Sequence, residues 1–76
     1  MKSYDPDRKW AYQEPAGDRN PDDPNAAIVV VMSEREIIET YWDFWRAEMK
    51  RVGREELITR ENCIADWIVI HWAAEA

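Results

Sequence analysis

From Cys63 to Ala76, eleven of fourteen residues are apolar, and only Asp66, His71 and Glu75 interrupt the run. A helix in this stretch is apolar nearly all round, so it needs cover on more than one side. The demand is severe because the chain has only 76 residues, five of them Trp, with three Tyr and one Phe. Each ring carries ~150–250 Å² that prefers burial, whereas a domain of this length buries only ~60% of its unfolded surface. Cys63 is the sole cysteine, so no intrachain disulfide supplements the core, and a reducing cytoplasmic setting is expected.

The first 31 residues differ from the rest. All four prolines and Gly17 lie before residue 25, among Asp, Asn and Arg, which disfavours regular helix. Trp10 and Tyr12 share one face of any strand through residues 9–13, and residues 28–31 are a β-branched run. These two segments could pair as a small β-hairpin across the polar residues 14–26, although so long a connection weighs against it. The alternative is an extended, weakly ordered tail.

At Ser33 the pattern changes. Ser33-Glu34-Arg35-Glu36 is a capping box that predicts a helix over about 34–52, closed by Gly53 with Lys50 and Arg51 in its last turn. Thr59, with Glu61 two residues on, marks a second helix over about 60–74. The short connection makes the pair an antiparallel hairpin, so the expected fold is mainly α: a two-helix domain over residues 32–76 behind a Pro-rich segment of residues 1–31. In the first helix Ile38, Trp42, Trp45, Met49 and Val52 share a face, broadened by Ile37, Tyr41 and Phe44, while Glu39, Asp43 and Arg46 form a charged face. One such partner cannot cover the second helix. The missing cover must come from the N-terminal segment, from a second copy of the chain, or from another protein.

With 16 acidic against 10 basic residues the formal charge is −6, which disfavours direct contact with nucleic-acid phosphates or anionic lipid. The longest apolar runs fall far below the ~18–20 residues of a membrane span, and the N-terminus has no apolar signal region. Catalytic and metal motifs are missing too. His71 and Cys63 lie eight positions apart, ~12 Å along a helix, and neither paired Cys-x-x-Cys nor Glu-x-x-His occurs, so no metal or cofactor is expected. A buried apolar Cys63 and a hydrogen-bonded His71 are the simpler readings, and Glu55-Glu56 and Asp22-Asp23 are solvated loop pairs. The chain is not expected to be an enzyme. What remains is a protein-binding surface, for which the candidates are Trp10, Tyr12, Trp42, Trp45, Trp67 and Trp72 as anchoring rings and Glu36, Glu39 and Asp43 as an acidic face. Glu34, Glu48, Glu55, Glu56 and Glu61 are expected to add to that acidity.

Met-Ser-Glu-x-Glu-Ile at residues 32–37, Tyr-Trp-x-x-Trp at 41–45 and Glu-Asn-Cys-Ile-Ala-Asp-Trp-Ile-Val-Ile-His-Trp-Ala at 61–73 give residues 32–76 a pattern that resembles short phage- and prophage-encoded proteins. Met32 is where such a protein could begin, which makes the first 31 residues look like an addition. The resemblance implies action in a host cytoplasm by binding and blocking a host protein, such as a defence or nucleic-acid-handling complex, in the manner of anti-CRISPR proteins. The alternative function is a homo-oligomeric structural or accessory protein that pairs with itself through the second helix.

Overall fold

The computed structural model describes residues 2–76. In chain order its elements are β1 (Lys9–Pro15), β2 (Ala27–Ser33), α1 (Glu34–Arg51), α2 (Arg60–His71) and β3 (Ala74–Glu75), with short 3-10 turns at Gly17–Arg19 and Glu55–Leu57. The strands form one antiparallel sheet in the order β2-β1-β3. The expectation of a mainly α fold is therefore corrected. Two helices and a three-stranded sheet share the architecture, and the sheet supplies part of the cover that α2 demands.

The N-terminal hairpin forms, and it is longer than residues 9–13 with 28–31. Pairing runs from Lys9 opposite Ser33 to Pro15 opposite Ala27. The intervening loop is held by its own hydrogen bonds, so its length is little obstacle. Ala16 N–H donates to Ala26 O at 2.8 Å and Gly17 N–H to Pro24 O at 2.9 Å, while the Arg19 guanidinium reaches Glu14 and the carbonyls of Pro15 and Ala16. Gly17 sits at φ 58°, in the left-handed region that glycine occupies without steric penalty.

The helix boundaries follow local chemistry. Ser33 Oγ accepts from Glu36 N–H at 3.2 Å and Glu36 Oε1 accepts from Ser33 N–H at 3.0 Å, so the capping box is complete. Gly53 at φ 75° closes α1, and Thr59 Oγ1 caps α2 by accepting from Asn62 N–H. The end of α2 departs from expectation. The helix stops at His71 instead of near residue 74, because Trp72 turns to φ 56°, ψ 39° and Ala73 N–H donates to Ile68 O, a left-handed cap that glycine usually provides. The chain then reverses so that Ala74 and Glu75 pair with Ala11 and Trp10.

Ile37, Ile64 and Trp67 form the buried centre, with Tyr4, Trp10, Tyr12, Met32, Ile38, Tyr41, Ile68 and Ala73 packed around it. Strand alternation puts Trp10 and Tyr12 on the face turned to α2. Tyr12 meets Trp67 edge-on, with ring centroids 5.3 Å apart at 89°.

One acidic residue is out of place for a surface helix. Glu34, expected to add to the acidic surface, is only 1% exposed. Its Oε1 accepts from Asp5 N–H at 3.0 Å, and its Oε2 accepts from Arg8 Nη1 at 3.0 Å and Trp10 Nε1 at 2.9 Å. The carboxylate thereby fastens residues 5–10 to the start of α1. A second fastening lies beside it, where Tyr4 N–H donates to Glu61 Oε2 at 2.8 Å and the Arg60 guanidinium stands over the Tyr4 ring.

Two of these carboxylate hydrogen bonds, the long-range one at Glu61 and the capping one at Glu36, make stability pH-dependent. The Tyr4 amide holds the Glu61 carboxyl below its ordinary range, and the Ser33 amide does the same for Glu36. A depressed folded-state pKa contributes stability above the unfolded value of about 4.3 and loses it as pH falls through the folded value. The thermal midpoint is therefore expected to drop as pH is lowered below about 4.3, and Glu61→Gln to flatten that dependence. Melting followed by circular dichroism across the acid range checks both. An acid slope unchanged in Glu61→Gln would contradict the Tyr4 link.

The radius of gyration is 14.2 Å, against about 11 Å for a compact domain of this length. This elongation leaves apolar groups uncovered at the sheet surface and at both ends of the helical pair.

Candidate functional site

The anchoring rings separate into three environments. Trp45 and Trp67 are interior, each 3% exposed. Trp45 Nε1 donates to Asp66 Oδ2 at 2.7 Å, which satisfies the indole and joins α1 to α2. Trp67 stacks on His71, with centroids 4.4 Å apart at 29°. Trp10, Tyr12 and Trp42 are half-buried, Trp10 committed to Glu34 and Trp42 leaning on Trp45. Trp72 stands apart at 91% exposed.

The surroundings of Trp72 follow from the break in the helix. Val69 and Ile70, on the last turns of α2, and Trp72, at the left-handed turn that follows, all face outward. Between them and β1 runs an open groove of about 660 Å³, walled by Tyr12, Gln13, Ile70, His71 and Trp72. His71 Nδ1 lies 2.9 Å from Trp67 O; a carbonyl only accepts, so Nδ1 is the donor in this bond. Tyr12 braces this imidazole edge-on, with centroids 4.8 Å apart. The floor is a bare sheet edge as well. Because β3 ends its pairing at Ala74 opposite Ala11, Gln13 has no strand partner on that side.

A left-handed, nearly bare tryptophan is doubly unfavourable. The conformation disfavours any residue with a Cβ by roughly 1–2 kcal/mol, and the indole gains almost nothing from burial within the chain. Strain of this kind concentrates where a surface is used.

The acidic candidates spread out. Glu36 is spent on the capping box, while Glu39 and Asp43 are exposed on α1, Asp43 loosely paired with Arg46 at 3.8 Å. Neither Glu39 nor Asp43 lines the groove beside Trp72. Sequence reasoning overlooked Val69, Ile70 and Gln13 as site residues. Val69 and Ile70 lie within α2, on the part of its all-round apolar surface that neither α1 nor the sheet covers, and the sequence does not say which part that is; Gln13 matters through its backbone, which composition does not reveal.

Burial pushes the Cys63 thiol up to about 12, so it stays protonated and shielded within α2. Among the described residues, no group of three or more His, Cys, Asp and Glu could hold a metal, and no helix is long and apolar enough to cross a membrane. No protein family, curated protein or solved structure matches the chain.

Proposed function

We propose that this chain is a protein-binding modulator that engages another protein at the end of α2, with Trp72 as the anchoring ring. The observation that carries this reading is the exposed indole of Trp72 in a left-handed turn, flanked by Val69 and Ile70 and facing an open groove. Exposed Trp beside apolar neighbours is the composition of an interface centre, and the unpaired backbone of Gln13 offers hydrogen bonds beside it. With a net charge of −6 the chain associates fastest with a basic surface. Together with the pattern of residues 32–76, this makes a host protein that handles nucleic acid the class of partner to seek, and inhibition by occupying its basic groove the mode of action.

Trp72→Gly separates binding from folding. Glycine takes the left-handed turn without strain, so the thermal midpoint is expected to hold or rise by several degrees, each kcal/mol being worth ~4–8 °C in a domain this small. Loss of an anchoring ring is worth ~2 kcal/mol or more, about a 30-fold weaker complex. Quantitative capture from bacterial lysate with wild type, Trp72→Gly and the control Phe44→Ala checks this. Partners that wild type and Phe44→Ala retain and Trp72→Gly loses support the reading. Equal recovery by all three would sink it.

A further inference from the structure

Between the N-terminal residues 2–8 and α2 lies a cavity of about 150 Å³ that shares no residue with the groove beside Trp72. Its apolar walls are the rings of Tyr4 and Trp10 and the side chains of Ile64 and Ile68, all of which belong to the buried centre or pack against it. Both rings are fixed in place by the fold itself. Trp10 Nε1 donates to Glu34 Oε2 at 2.9 Å, while Tyr4 is tied to Glu61 through its backbone N–H and carries the Arg60 guanidinium over its ring. Lys2 and Glu75, exposed and ion-paired at 3.1 Å, stand at the rim.

Size, charge and hydration decide what such a cavity can take. Its volume is below the ~300–1,000 Å³ of sites for drug-sized ligands, and a dry apolar cavity of about this size accepts a benzene-like ring. The charged groups along it are already engaged, Arg8 with Glu34 at 3.0 Å, Lys2 with Glu75, and Glu61 with the Tyr4 amide. An anion would meet more carboxylates than cations. A cation would compete with Arg8, Lys2 and Arg60, which already stand by Glu34, Glu75 and Glu61. Either ion would also shed its hydration on entering. Water gains little there, because among the described residues no buried side-chain nitrogen or oxygen lacks a partner, whereas a buried water needs roughly two to four polar groups.

We propose that this cavity binds a small uncharged aromatic molecule, no larger than indole, packed against Tyr4, Trp10, Ile64 and Ile68. Edge-on and offset contacts with two fixed rings add to the gain from burying the guest, which favours an aromatic over an aliphatic one. Because Tyr4 and Arg8 belong to the segment that Glu34 and Glu61 fasten, the guest binds the same closed arrangement that those carboxylates hold. The site does not depend on the role of Trp72.

Titration of the isotope-labelled full chain with indole, followed by two-dimensional NMR, tests the proposal. Saturable shifts are expected at the Trp10 side-chain N–H and at the Ile64 and Ile68 amides, with a Kd on the order of 0.1–1 mM for so small a guest. Indoleacetate, which carries the same ring with a negative charge, is expected to bind about 10-fold more weakly or less. Ile68→Phe places a ring in the cavity and is expected to weaken indole binding by about 10-fold or more, whereas Trp72→Gly is expected to leave it unchanged. Independently of whether Ile68→Phe folds, nuclear Overhauser contacts from indole to the Ile64 and Ile68 methyl groups of the wild type locate the guest. The absence of saturable shifts up to about 5 mM indole overturns the proposal. So do contacts at Ile70 and Trp72 in place of Ile64 and Ile68, affinity lost in Trp72→Gly, indoleacetate binding as tightly as indole, or a folded Ile68→Phe with wild-type affinity.

Discussion

Glu34→Ala is expected to be among the most destabilising single changes in this chain, at roughly 3–5 kcal/mol. The carboxylate is 1% exposed and accepts from Asp5 N–H, the Arg8 guanidinium and the Trp10 indole. The Arg8 side chain is itself only 19% exposed, so removing Glu34 strands a largely desolvated cation along with two neutral donors. A domain of this length has only ~4–11 kcal/mol of total stability. Glu34→Gln should fall between wild type and alanine, because one amide oxygen still accepts while the amide NH₂ faces donors it cannot pair with. Chemical denaturation gives the magnitudes, and limited proteolysis locates the effect. Cleavage is expected within residues 2–8 of Glu34→Ala before the helical pair opens. Wild-type stability and cleavage in Glu34→Ala would show that the N-terminal segment does not rely on this carboxylate.

Trp67→Ala is expected to destabilise by a similar ~3–5 kcal/mol for a different reason. Its indole lies between the sheet and α2, met edge-on by Tyr12 and stacked on His71. Truncation leaves a cavity where the hairpin meets the helix, and it strips Tyr12 and His71 of the ring they pack on. Trp67→Phe keeps part of that contact and should lose less. Denaturant midpoints by far-ultraviolet circular dichroism rank the three. A Trp67→Ala midpoint within experimental error of wild type would mean that the sheet and α2 are not joined through this ring.

The elements legible in the sequence are those set by neighbouring residues. The start of α1 follows from four consecutive residues, Ser33 to Glu36, and its end from Gly53, because a cap needs only a side chain within one turn. The β1–β2 hairpin was visible as two strand-like segments, but its loop could not be judged from length alone. The bonds from Ala16, Gly17 and Arg19 back across the loop decide whether residues 14–26 are slack or compact. Glu34 was hidden for the opposite reason. At the first turn of a helix an acid is ordinary, since the macrodipole favours it there, and nothing local distinguishes a solvated Glu from one buried under residues 5–10.

The surplus of apolar surface on α2 was evident from composition and periodicity alone, and so was the need for cover, because burying apolar area is favourable whatever covers it. The identity of the cover is a matter of tertiary structure. Trp10 and Tyr12 reach α2 only because the hairpin folds back over it and Glu34 and Glu61 fasten the preceding residues. The break at Trp72 has no local signal either, since neither Gly nor Asn stands there and the apolar run continues to Ala74. The pairing of Ala74 and Glu75 with β1 draws the chain out of the helix, and that reversal turns one tryptophan outward while four are packed. Short-range chemistry thus sets where helices begin, whereas long-range pairing chooses which rings form the core and which stay exposed.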